Sequence, residues 1–170
     1  GAMQKDMNIN SYICSKYVVG IDGMMWFYHS KEEILEKNLQ KEFIKHMSWN
    51  SLLPTPYCCK ASETLLQQIA FDIKQGITIT APGFYGPQGR ELRMPLRDKT
   101  INEKLPLFAY DNYKVTNYEM ETSSLYCLGQ NLGHNTLTIC DVVANREQGT
   151  FAKDYHKAMN QLILLVLERL

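Results

Sequence analysis

Three short stretches concentrate the side chains able to hold and polarise a small polar ligand. Phe84-Tyr-Gly-Pro-Gln88-Gly-Arg90 sets an amide, which donates and accepts, two positions from a guanidinium, which only donates. Asn117-Tyr-Glu119-Met120-Glu121 sets two carboxylates, acceptors when ionised, on either side of a methionine. Asp141-Val142-Val143-Ala144-Asn145-Arg146 brings a further carboxylate and a second guanidinium to either end of an apolar run. Each type alone has an ordinary explanation. An isolated Gln or Arg in a Gly- and Pro-rich loop is usually solvated, two carboxylates in the first turn of a helix suit its macrodipole, and Phe84 can simply pack a core.

The elements that must position these groups can be traced by pattern. Tyr12–Val19 is β-branched and aromatic and reads as a strand, broken by Gly20 and Asp22-Gly23. From Ser30 as N-cap, apolar residues Ile34, Leu35, Leu39, Phe43 and Ile44 recur at helical spacing. After Pro54 and Pro56, Ser62-Glu63 opens a second helix through Leu66 and Ile73, with Gly76 expected to stop it. Ile77–Thr80 reads as a strand, Tyr113–Asn117 as another, and Thr136–Ala144 as the strongest. Helices are expected from about Glu119 to Leu132, ahead of Gly133, and from about Phe151 to Leu170. Strands alternating with helices predict an α/β class: a layered mixed β-sheet flanked by helices, in one domain over 1–170. Ligands gather at the C-terminal ends of strands in such folds, where the three stretches fall and could converge on one pocket.

Composition narrows the options. The 170 residues are 45% hydrophobic, enough for a real core, and 18 basic side chains balance 18 acidic ones. No summed field draws the chain to nucleic acid or an anionic membrane, so an anionic ligand must be held locally. The longest apolar run, Leu162–Leu167, is far short of a spanning helix, and a cytoplasmic location is expected. The five cysteines form no CxxC pair, and vicinal Cys58-Cys59 suits an ordinary bridge poorly, so reduced thiols are expected. His29, His46, His134 and His156 are scattered, and no metal site is expected.

Taken in their order and spacing, the three stretches resemble the uridine phosphorylases, most nearly those of Bacteroides-like bacteria, over almost the whole chain. Gly83-Phe-Tyr-Gly-Pro-Gln-Gly-Arg-Glu-Leu-Arg93 is similar to their base-binding loop, Glu119-Met120-Glu121 to their ribose-binding segment, and Val143-Ala144-Asn145-Arg146 to the segment closing the base pocket. The resemblance implies the nucleoside phosphorylase fold and a glycosyltransferase of pyrimidine salvage and nucleoside catabolism. It would convert uridine and phosphate to uracil and ribose 1-phosphate, with phosphate as cosubstrate, no other cofactor and no metal. On this reading Gln88 matches a uracil edge with its paired donor and acceptor. Arg90 stabilises charge on the departing base, with Arg146 assisting, and Phe84 stacks on the pyrimidine. Glu121 accepts from ribose hydroxyls, Met120 lies on the sugar face, and Glu119 has the weakest claim to the sugar because a helix opening already accounts for it.

Purine-cleaving relatives carry an acidic residue where this chain has Val143. Asp141, on the same face of an ideal strand, is a substitute for a purine phosphorylase or nucleosidase reading if a local bulge or slip brings it there; otherwise it is expected as a helix-dipole or loop partner. The start, Gly1-Ala-Met-Gln4, resembles the sequence just after the family's Gly-Thr-Ser/Cys-Gly turn. The domain is therefore expected to be N-terminally incomplete, lacking the phosphate loop, and to have little activity alone. A non-catalytic binding or assembly fragment is the other alternative. Partners implied are a nucleoside, phosphate, a missing N-terminal segment and further copies in a homo-oligomer.

Overall fold

The computed structural model describes residues 1–170. Its elements run in order as β1 (Tyr12–Gly20), α1 (Lys37–Met47), β2 (Tyr57–Lys60), α2 (Glu63–Ile69), β3 (Lys74–Thr80), α3 (Ile101–Lys104), β4 (Ala109–Tyr110), β5 (Tyr113–Glu119), α4 (Thr122–Asn131), β6 (Ile139–Asp141), β7 (Ala144–Asn145), β8 (Thr150–Phe151) and α5 (His156–Glu168). The strands form a mixed sheet in the order β2-β1-β3-β5-β4, with β6 pairing the first residues of β1, while β7 and β8 make a small hairpin. The central pairs β1–β3 and β3–β5 are parallel. Helices cover the sheet, as the layered α/β pattern anticipates.

Both faces of β1 and of the second half of β3 are covered, so their apolar and small polar residues alike are buried. On one face Tyr17, Val19, Ile77, Ile79 and Val115 pack with Leu39, Phe43 and Met47 of α1 and with Leu105 and Phe108. On the other, Cys14 and Val18 pack with Leu66 of α2 and with Tyr126 and Cys127 of α4. A polar rung crosses the middle: the Ser15 and Thr78 hydroxyls lie 2.6 Å apart, and Thr78 and Thr116 each donate to Asn117 Oδ1 at 2.9 Å. These groups satisfy one another, so their burial carries no desolvation penalty left unpaid.

Several sequence expectations are corrected by tertiary contacts. The first helix begins at Lys37 rather than near Ser30: Glu32–Ile34 make only a single 3-10 turn, Leu35 is extended, and the Glu36 amide donates to Cys58 O at 2.8 Å. The second helix ends at Ile69, and Gly76 lies inside β3. A Cβ there would sit 2.1 Å from Thr116 Cγ2, so glycine is needed for close strand packing rather than as a helix stop. The expected strand Thr136–Ala144 is paired in the sheet only over Ile139–Asp141, after which Val142 turns to bond Ser11 and Asn10. The last helix starts at His156, since Phe151 belongs to the hairpin.

The cysteines are not all reduced. Cys59 and Cys127, 68 residues apart with Cα atoms 6.2 Å from each other, form a disulfide joining β2 to α4. Strand alternation sends Cys58 into one core and Cys59 into the other, so the vicinal pair is not itself bridged and Cys59 meets a partner that spacing could not reveal. No helix is long and apolar enough to cross a membrane.

Candidate functional site

The loop after β3 is shaped by a tight turn. Gly86–Gln88 form one 3-10 turn, the amides of Gln88 and Arg90 both donate to Tyr85 O at 3.0 Å, and Gly89 takes a left-handed conformation at φ 69°. The turn carries Gln88 inward, where only 4% of it remains exposed. Gln88 Oε1 accepts from Arg90 Nη1 at 2.8 Å and from Arg146 Nη2, and Gln88 O accepts from Arg146 Nη1 at 2.8 Å. Two donor-only guanidinium groups on one atom fix which end of the amide is oxygen. Nε2 is thereby left as the end with hydrogen-bonding capacity to spare. The sequence expectation has this amide offer donor and acceptor side by side; in the structure Oε1 is taken by the two guanidinium groups.

Arg146 comes from the end of β7 and is the more deeply held of the two. Its guanidinium carbon lies 4.6 Å from the Tyr118 ring centroid, and burial, with the nearby charge of Arg90, lowers its pKa to about 10. Burial likewise lowers that of Arg90. The guanidinium carbon of Arg90 sits 3.7 Å from the centroid of the Phe84 ring, which is otherwise 52% exposed. The hairpin carrying Arg146 is braced by Asn145, whose amide donates to Gln4 O at 2.9 Å and Met7 O at 2.7 Å.

At the end of β5, Glu119 turns back over the start of α4. One of its oxygens accepts from the Glu121 amide at 2.8 Å, the Thr122 amide at 2.6 Å and the Thr122 hydroxyl at 2.7 Å; the other accepts from the Thr80 hydroxyl. These bonds satisfy amides that a helix start leaves orphaned, and they commit Glu119 within the chain. Glu121 is different. It is exposed, and its carboxylate meets only the neighbouring Met120 amide at 3.2 Å.

The three stretches meet around one cavity of about 580 Å³, lined by Phe84, Gln88, Arg90, Glu119, Met120, Glu121 and Val143 among others. Arg146 reaches it through Gln88. Asp141 also lines it, is 9% exposed, and has no hydrogen-bond partner on either oxygen. It is therefore neither a loop partner nor a helix cap. Burial raises its pKa above the ordinary carboxylate value, and the Val142 amide, already donated to Ser11 O at 2.9 Å, offsets this only in part. Arg93 and Arg97 line a different, largely apolar hollow of about 670 Å³ beyond the loop, and Lys99 pairs with Glu91. No three His, Cys, Asp or Glu side chains come together as a metal site.

Sequence reasoning missed Thr80, Tyr118 and Cys140, which complete the walls and supports of the site. Thr80 was legible in principle, because the alternation Ile77-Thr-Ile-Thr80 puts both threonines on one strand face.

A family model described as the phosphorylase superfamily matches residues 1–168. A curated uridine phosphorylase of Thermococcus kodakarensis is 28% identical over 159 residues, covering 90% of this chain and 48% of that protein. The structure of a Trypanosoma brucei nucleoside phosphorylase, described as showing uridine phosphorylase activity, has a TM-score of 0.83 at 22% identity over 100% of this chain and 60% of that one. A structure from Weissella paramesenteroides, described as a candidate methylthioadenosine nucleosidase, has a TM-score of 0.56 at 14% identity over 98% and 62%. The chain thus spans about half the length of the curated relative it matches.

Proposed function

Because the chain belongs to the phosphorylase superfamily, we propose that it is the nucleoside-binding part of a uridine phosphorylase, which uses phosphate to split uridine into uracil and ribose 1-phosphate. The observation that carries this reading is the Gln88 amide held by Arg90 and Arg146 at one side of the cavity while the unencumbered Glu121 carboxylate lines the same cavity. In the reaction a phosphate oxygen bonds to C1′ as the C1′–N1 bond breaks, and the bond electrons leave with the base. Gln88 Nε2 donates to a base carbonyl, and the paired guanidinium groups stabilise charge that grows on the base in the transition state. Glu121 accepts from a ribose hydroxyl while the sugar becomes cation-like. Phosphate is the cosubstrate, no cofactor is required, and we place the protein in the cytoplasm as a homo-oligomer serving pyrimidine salvage.

Phosphate itself, with about two negative charges at neutral pH, needs converging donors. Of the cations near the cavity, Arg90 and Arg146 are engaged by Gln88, while Arg93 and Arg97 face the other hollow. Residues 1–170 are therefore proposed to bind nucleoside without turning it over efficiently. A second reading rests on Asp141: a buried carboxyl with a raised pKa is suited to donate a proton to a purine nitrogen, as a purine phosphorylase or nucleosidase requires.

The deciding assay measures cleavage of uridine and inosine, with and without phosphate, by residues 1–170 and by a longer form of the protein. Phosphate-dependent uridine cleavage confined to the longer form is the expected result. Preference for inosine would transfer the assignment to the Asp141 reading, and vigorous phosphorolysis by residues 1–170 would overturn the division of labour.

A further inference from the structure

We propose that Asp22, which does not line the cavity, is a positioning residue for the sugar end of the site, acting through Ser123 and Thr80 on Glu119. The inference rests on the reading above in which Glu121 meets the ribose. Asp22 follows the end of β1. Its Oδ1 accepts from the Met24 amide at 2.7 Å and the Tyr57 hydroxyl at 2.8 Å, and its Oδ2 accepts from the Ser123 hydroxyl at 2.7 Å. The Ser123 amide then donates to Thr80 Oγ1 at 2.9 Å, and the Thr80 hydroxyl donates to Glu119. The Tyr57 and Ser123 hydroxyl oxygens, both donating to Asp22, lie 2.8 Å apart.

This chain of bonds does what a local cap ordinarily does. The amides of Glu121, Thr122 and Ser123 are the first donors of α4, and a helix start must find outside acceptors for such groups. Here Glu119 takes two and Thr80 takes the third, so the acceptors come from the ends of β5 and β3 rather than from a cap residue of the helix. Where α4 begins, and therefore where Glu121 points, is fixed by the ends of β5 and β3, and Asp22 holds the Ser123 side chain at the same junction. Gly20 makes the approach possible: a Cβ there would lie 2.5 Å from Tyr57 Cζ and 2.8 Å from Ser123 Cβ. Ser123 and Thr80 are fully buried, so an unmet hydroxyl or amide in this network is costly and the arrangement is stiff.

The consequence is selective. Disturbing Asp22 should misplace Glu121 while leaving the Gln88, Arg90 and Arg146 cluster, which shares none of these bonds, in place. The test titrates uridine and uracil into the purified protein and its Asp22→Asn and Thr80→Val variants, and follows amide hydrogen exchange across residues 119–125. Uridine affinity should fall roughly tenfold in both variants, uracil affinity should stay within about twofold, and exchange should quicken at Glu121, Thr122 and Ser123. Unchanged uridine affinity, or equal losses for uridine and uracil, would overturn the proposal, the second pointing to a role in the whole fold. Thr80→Val preserves shape and decides the matter if Asp22→Asn does not fold. Wild-type protein that bound neither ligand would instead overturn the nucleoside reading, and the sugar role of Asp22 with it.

Discussion

The guanidinium carbon of Arg90 lies 3.7 Å from the centre of the Phe84 ring, so the two side chains proposed to hold the base pack against each other. The ring therefore offers a π-face as well as apolar bulk. Phe84→Leu is expected to weaken uracil binding by about 0.5–1.5 kcal/mol, the scale of an aromatic contact beyond area alone. Calorimetric titration checks this; an unaltered affinity would place the base elsewhere.

Gln88→Glu offers a sharper contrast. A carboxylate at this position would pair with Arg90 and Arg146 more strongly than the amide does, yet it would lose the Nε2 donor facing the ligand. Thermal stability should hold or rise while uracil affinity falls at least roughly tenfold. In a catalytically competent form, Gln88→Ala or Arg90→Ala should each remove about 2–4 kcal/mol of transition-state stabilisation, read from kcat/KM. Normal turnover in these variants would show that the cluster does not read the base.

Glu121→Gln should harm uridine more than 2′-deoxyuridine, because an amide is a poorer acceptor for the hydroxyl that only uridine carries there. The comparison is made on kcat/KM for both substrates. Equal losses would assign the carboxylate to the 3′-hydroxyl or to the helix start.

Asp141 makes stability depend on pH in a specific direction. Its folded-state pKa is raised, so the folded chain keeps this proton at pH values where the unfolded chain has released it. Stability is then lost as pH climbs from the ordinary value of 3.8 through the raised one, and stays reduced above it. Asp141→Asn should accordingly melt a few degrees higher, roughly, at neutral pH, with the difference vanishing below the ordinary carboxylate value. Identical melting curves at both ends would show that this carboxyl is solvated in the native state.

The sequence made some of this legible and hid the rest for physical reasons. Tyr12–Val19 announces β1 through composition, and the loop from Phe84 to Arg90 announces its turn through Gly86-Pro87 and Gly89. Two carboxylates flanking Met120 are visible as a pair, but only the fold separates them, sending Glu119 into four bonds and leaving Glu121 with the Met120 amide alone. Strand β2 is four residues long and lacks any periodicity to detect; it exists because β1 offers an antiparallel edge from Tyr17 to Gly20. The Cys59–Cys127 bridge and the Asp22 network span 68 and 101 residues, distances at which one sequence carries no pairing signal.

Asn102, in α3, donates its amide to Gln88 O at 3.3 Å and Gly89 O at 3.1 Å. The stretch from Glu91 to Ile101 thus leaves and returns to the same point, a loop closed at its neck by the residues that aim Gln88. Surface loops with pinned ends accept changes in length that the rest of a domain rejects. Met94, at the exposed outer part of this loop, is therefore a place where a peptide tag or an environment-sensitive dye can be carried. A reporter there would sit one short segment from the base-reading turn, and its emission would follow ligand arrival without a substitution in the pocket.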